Sequence, residues 1–198
     1  MKQLVLATHN GDKVREISAL LSDLGVEVLS LDAFPQIGSI VEDSDTLEGN
    51  ALLKANVVGR STGLPALGDD TGLEVHSLYG EPGVYSSRYS GEHATYSENV
   101  SKLMANMKSF PPRRRAARFR CALAFVAPGI GSRTVEGVCR GNILEKPRGT
   151  GGFGYDPLFL PKGFDKTLAE MDLSLKNTLS HRALAIKEIL PILRKYFK

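Results

Sequence analysis

Between residues 3 and 31 the chain alternates strand, helix and strand signals, and this alternation constrains the fold more than any other feature. Gln3-Leu4-Val5-Leu6-Ala7 is a short apolar run closed by polar residues, the pattern of a buried strand. Val14, Ile17, Leu20, Leu21 and Leu24 then recur at helical spacing. Gly25 ends that helix, and Val26 to Leu31 reads as a second strand. Strand, helix and strand in succession place the chain in the α/β class.

The polar hexapeptide Thr8-His9-Asn10-Gly11-Asp12-Lys13 occupies the first strand-to-helix turn. Backbone N–H groups at a helix start lack intrahelical partners and favour anions. Lys13 adds a fixed positive charge, and Thr8 and Asn10 add hydrogen-bonding groups. The logic is that of a phosphate cradle, although the GxxxxGK[ST] pattern is absent. A plain capped turn has the same composition.

Leu67-Gly68-Asp69-Asp70-Thr71-Gly72 is the least ordinary stretch. The apolar Leu64-Pro65-Ala66-Leu67 leads into two adjacent carboxylates. Thr71 and Gly72 are expected to turn the chain before Leu73-Glu74-Val75 resumes an extended pattern. Neighbouring carboxylates repel, and a divalent cation or a cationic partner relieves the repulsion. The stretch therefore reads as a metal-and-base centre at a strand end, against the plainer alternative of an Asp-rich turn. Upstream, a loop carries Glu42, Asp43 and Asp45. Thr46 then caps a helix whose apolar face is Leu47, Ala51, Leu52, Ala55 and Val58. Asn50 and Lys54 lie four apart and share a face of it.

Downstream, Asn99 to Met107 has helical spacing, and Cys121 to Ala127 reads as a strand paired through a Pro128–Ser132 turn to Thr134–Gly141. Arg113, Arg114, Arg115, Arg118 and Arg120 precede that strand. Such a run is more often a solvated approach or subunit contact than an anion site. In Arg148 to Pro157 four glycines surround Phe153, Tyr155 and Asp156. Glycines let a backbone approach a ligand closely, and Phe153 or Tyr155 can stack on a base ring. Ser180 caps a final helix in which Pro191 is expected to cause a kink or an early end. His181 and Arg182 in its first turn face a dipole that prefers anions, which with Lys176 nearby signals an anion site.

Composition narrows the functional classes. A net charge of +3 over 198 residues is too mild to imply a nucleic-acid partner. Two cysteines without a CxxC or Cys/His pattern argue against structural zinc. No run approaches the ~18 apolar residues of a membrane span. The first apolar run is too short for a signal peptide, so a reducing cytoplasm is the expected location.

Thr8 to Lys13 resembles the [ST]xNxxK motif of the inosine/xanthosine triphosphate pyrophosphatases, and Asp69-Asp70-Thr71-Gly72-Leu73 resembles their DD[ST]GL. Pro82 to Tyr89, Gly149 to Pro157 and Ser180-His181-Arg182 complete the likeness, in order, from Leu4 to about Leu193. It implies a two-lobed fold with a long central mixed β-sheet flanked by helices, residues 1–198 forming one domain around a central cleft. It implies a homodimer, a Mg2+ requirement, and hydrolysis of ITP, dITP and XTP to monophosphate and pyrophosphate. Asp70 is then the general base, Glu42 and Asp70 hold the metal, and Asp69 supports them. Thr8, His9, Asn10, Gly11, Asp12 and Lys13 hold phosphates. Thr71, Phe153, Gly154, Tyr155, Asp156, Lys176, His181 and Arg182 contact the nucleotide. Gly49-Asn50-Ala51 departs from the Glu-Asn-Ala of many bacterial relatives, and Ser87 replaces an alanine. Two rival readings are a septum-inhibitor-like pyrophosphatase for modified pyrimidine or methylated nucleotides, and a non-enzymatic nucleic-acid module built on the arginine run.

Overall fold

The computed structural model describes residues 2–198; Met1 lies outside them. The elements are β1 (Gln3–Leu6), α1 (Gly11–Leu20), β2 (Glu27–Leu29), α2 (Leu47–Thr62), β3 (Ala66–Val75), β4 (Pro82–Gly83), α3 (Tyr96–Met107), β5 (Ala116–Ala127), β6 (Gly131–Ile143), β7 (Phe159–Pro161), α4 (Leu173–Leu179) and α5 (His181–Tyr196). The strands form a mixed sheet in the order β2-β1-β3-β5-β6-β7, with β4 pairing β3. β1 is parallel to β2, Leu4 opposite Val28, and parallel to β3, Leu6 opposite Leu67. β4 is antiparallel to β3, and β7 to β6. The α/β class expected from the opening segment is the one found.

The chain forms two compact units from interleaved segments. The first comprises the chain up to Asp70, Cys121–Gly137 and Arg182–Lys198. Its core joins Leu4 and Leu6 of β1, Ile17 of α1, Phe125 of β5, and Ile186 and Ile189 of α5. A smaller cluster places Val5 and Ala66 against Val58 of α2. Helix α2 starts where Thr46 accepts the Gly49 N–H, and it ends at Gly63 in the left-handed region. Gly68 of β3 is required for its packing: a Cβ there would lie 2.0 Å from the carbonyl oxygen of Ala51.

The second unit comprises Thr71–Arg120 and Val138–His181. Leu73, Leu103, Met107, Phe119, Leu158 and Phe159 lie at its core. A capping box between Thr95 and Glu98 starts α3. Buried Arg115 donates to the carbonyls of Met107, Phe110 and Leu144.

Several local expectations change. Thr71 and Gly72 do not turn the chain; Ala66 to Val75 is one ten-residue strand with both aspartates inside it. Turn preference gives way because buried cations neutralise the carboxylates there. The second strand is shorter than Val26 to Leu31, since Leu31–Ala33 forms a 3-10 turn capped by Ser30. Helix α4, capped by Asp172, has no counterpart among those expectations. Pro191 lies inside α5, which runs on to Tyr196.

Candidate active site

Successive strand residues face opposite sides of a sheet, so Asp69 and Asp70 meet different partners. Asp69 is 1% exposed and faces α1 and α5. Its Oδ2 accepts from Arg182 Nε at 2.8 Å, and Lys13 Nζ lies 2.5 Å from its Oδ1. The Cys121 thiol also donates to it, at 3.2 Å. Arg182 reaches on to Glu16, with Nη1 2.5 Å from Oε2. Burial opposes ionisation of Asp69, but Arg182 and Lys13 outweigh it and hold the carboxyl well below its usual range. Burial likewise lowers the pKa of Lys13, and Asp69 more than restores it.

Asp70 faces α2 and the acidic loop. Lys54 Nζ donates to its Oδ1 at 2.9 Å and lies 3.1 Å from Glu42 Oε1, so one ammonium ties both carboxylates. Asn50 Nδ2 donates to Asp70 Oδ2 at 3.3 Å. Burial, assisted by the charge of Glu42 and opposed by Lys54, raises the Asp70 pKa to about 6. Glu42 is lowered, because Lys54 outweighs its desolvation. One aspartate is thus locked as an anion, while its neighbour is poised to exchange a proton.

Among the described residues no three His, Cys, Asp or Glu side chains converge as a metal site. Glu42 and Asp70 nevertheless offer two hard oxygen donors beside a shared cation. That fits a divalent ion that keeps waters and substrate phosphates as its remaining ligands, the usual habit of Mg2+.

The hexapeptide is organised by its own hydrogen bonds. Asn10 caps α1 by accepting the N–H groups of Asp12 and Lys13, and its own N–H donates to Thr8 Oγ1 at 3.1 Å. Two N–H groups that the sequence offered to a phosphate are therefore engaged by the cap. His9 pairs with Asp32 at 3.0 Å and Asp12 with Arg15 at 3.1 Å, while Gly11 is exposed.

Thr71, Phe153 to Asp156, Lys176 and His181 belong to the second unit. Asp156 Oδ2 accepts the Phe153 N–H at 2.9 Å and lies 2.5 Å from Lys176 Nζ. That ammonium is 5.0 Å from the centre of the Phe153 ring. Gly152, at φ +65°, permits the turn; a Cβ there would lie 2.2 Å from Asp156 Oδ2. Gly154 also has positive φ, at +60°. Tyr155 is a core residue whose hydroxyl donates to the Ser86 carbonyl at 2.9 Å, while Phe153 is half-buried with its ring 5.9 Å from that of Tyr96. His181 is 3% exposed and stacks on Phe119, with centroids 4.5 Å apart. Thr71 is half-buried.

Sequence reasoning missed Lys54, Asn50, Glu16 and Cys121. The shared face of Asn50 and Lys54 was visible, but not that it meets Asp70. Within the arginine run Arg115 is buried and Arg118 and Arg120 hold Glu74 at 2.6 and 2.9 Å, while Arg113 and Arg114 are exposed. Three of the five guanidiniums that a nucleic-acid module would use are thus engaged within the protein.

The Ham1 family pattern matches residues 4–192. A dITP/XTP pyrophosphatase of Geobacter sulfurreducens is 50% identical over 186 residues, 94% of each chain. One of Bacillus licheniformis is 46% identical over 193 residues, 98% of each chain. The structure of a HAM1 protein from Coxiella burnetii superposes with a TM-score of 0.88 at 36% identity, covering 98% of this chain and all of that one.

Proposed function

The chain belongs to the Ham1 family, and from that premise we propose how its residues act on a nucleotide. It is a nucleoside triphosphate pyrophosphatase that hydrolyses abnormal purine nucleotides such as dITP and XTP. We take the products to be the monophosphate and pyrophosphate. Water then attacks the α-phosphorus and pyrophosphate leaves. The observation that carries the assignment of roles is the Lys54 bridge, 2.9 Å from Asp70 and 3.1 Å from Glu42. It converges two carboxylates beside cationic groups, as a polyphosphate with its counter-ion requires.

In this reading Asp70 accepts the proton of the attacking water. Glu42 and Asp70 hold a divalent cation, which we take to be Mg2+; when bound it supplies charge neutralisation at the phosphate oxygens. Lys13 and Lys54 oppose the remaining negative charge. Asp69 takes no proton, because Arg182 and Lys13 keep it ionised; its role is to fix Lys13. Phe153 stacks on the purine, with Lys176 and Asp156 fixing the ring's loop. His181 is the donor to a 6-keto oxygen. The Arg182 guanidinium, directed at Asp69 and Glu16, acts indirectly. An adenine 6-amino group would present a donor to a donor, and such mismatches discriminate strongly. A homodimer and a cytoplasmic location belong to the same reading.

Pyrophosphate release from ITP, XTP, ATP, UTP and methylated GTP, with Mg2+ or with EDTA, is the test. We expect Mg2+-dependent release from ITP and XTP, abolished by EDTA, and little from ATP. Preference for UTP or methylated GTP would favour the septum-inhibitor-like class, and hydrolysis surviving EDTA would overturn the metal role.

A further inference from the structure

We propose that Asn50 is a positioning residue for the proposed metal and base centre, its single amide orienting Asp70 while docking the loop that carries Glu42. The inference rests on the reading of Asp70 and Glu42 given above. Asn50 is fully buried. Its Oδ1 accepts the backbone N–H of Ser44 at 3.0 Å, and its Nδ2 donates to Asp70 Oδ2 at 3.3 Å. The orientation is not arbitrary. A backbone N–H can only donate, so Oδ1 must face Ser44, and the NH2 is thereby turned toward Asp70. Ser44 lies two residues after Glu42, so the amide ties Asp70 to the loop that carries Glu42.

The consequence is that each oxygen of Asp70 has its own donor, Lys54 on Oδ1 and Asn50 on Oδ2. The carboxylate plane is set before any ligand arrives. The departure from Glu-Asn-Ala noted in the sequence fits this arrangement. A Cβ on Gly49 would lie 2.0 Å from Ser44 Oγ, so the glycine lets the Ser44 side chain rest on α2 while its N–H reaches Asn50. Partners that orient ligand carboxylates from behind govern metal affinity as well as turnover.

Two variants test this. Asn50→Leu removes both hydrogen bonds with little change of volume. Asn50→Asp keeps an acceptor for the Ser44 N–H but loses the donor to Asp70. Calorimetric titration of nucleotide-free protein with Mn2+, standing in for Mg2+, reads the site without turnover. Asn50→Leu should weaken Mn2+ binding about 10- to 100-fold while the KM for ITP changes by less than about threefold. Asn50→Asp should lower kcat for ITP at saturating Mg2+ by at least about tenfold. A purely structural role would lower the melting temperature of Asn50→Leu and leave Asn50→Asp turning over normally. The proposal is overturned if folded Asn50→Leu binds Mn2+ like wild type, or if Asn50→Asp retains wild-type kcat. Should Asn50→Leu not fold, Asn50→Asp decides alone. Wild-type protein that fails to hydrolyse ITP with Mg2+ would sink the functional reading instead, and the Mn2+ titration would still judge the amide.

Discussion

Asp69 and Asp70 are neighbours with opposite electrostatic fates, and each fate can be measured. An ordinary Asp carboxyl titrates near 3.8, whereas burial raises Asp70 to about 6. Ionised Asp70 therefore costs the folded state free energy that is absent below the unfolded value and fully present above about pH 6. Asp70→Asn removes the charge and the base together. Turnover should fall by at least about 100-fold. In urea melts of metal-free protein, the variant should gain on wild type by about 1–3 kcal/mol between pH 4 and pH 7. A purified variant with near-normal activity would refute the base assignment. Arg182 poses the converse case. Its guanidinium compensates buried Asp69 and Glu16, so Arg182→Met removes it from both carboxylates and leaves Asp69 with Lys13. The expected loss is about 3–5 kcal/mol in the same melts, and a loss below ~1 kcal/mol would show that Lys13 alone suffices for Asp69.

At the scale of elements, α2 and β3 make the centre together, and their spacing is set by the contact of Gly68 with Ala51. Gly68→Ala would drive a methyl into that carbonyl, 2.0 Å away. The helix must shift, carrying Asn50 and Lys54 with it. The variant should lose about 1–3 kcal/mol of stability and a disproportionate share of kcat; stability loss with kcat intact would mean that α2 tolerates the shift. This pairing also shows what the sequence could and could not reveal. The opening strand and helix, the Thr46 cap and the acidic pair were legible because each is local. The pair's place inside β3 was not. Asp, Thr and Gly all favour turns, and only cations from α1, α2 and α5 make an extended conformation tolerable there. Glu16 went unnoticed as one more charge on α1, since its partner Arg182 lies 166 residues away. Helix α4 is short, at 7 residues, and Asp172 caps it without a repeating apolar face to announce it.

For the whole molecule, buried ionisable groups in both units set the pH sensitivity. On the acid side stands Asp69 of the first unit. Asp69 is depressed, so its ion pairs contribute stability above the usual Asp range, and that stability is lost as pH falls through the lowered folded value. On the alkaline side stand two thiols that burial raises, Cys121 of the first unit and Cys139 of the second. Burial, reinforced by the charge of Asp156, raises the Cys139 thiol to about 11. The neutral thiol is retained in the folded state after it would have ionised in the unfolded chain. Its contribution is complete below the ordinary value of 9.0 and disappears as pH rises through about 11. Cys139→Val replaces the thiol with an apolar group that cannot ionise in either state. Wild type should therefore lose about 1–3 kcal/mol more than the variant in urea melts taken at pH 8 and again near pH 11. Lysine pairs weaken in both proteins over that range, which is why the difference, and not the absolute loss, isolates the thiol. Equal losses would mean that the strand around Cys139 opens before the thiol ionises, and that Asp156 stands in a wetter setting than its 3% exposure implies.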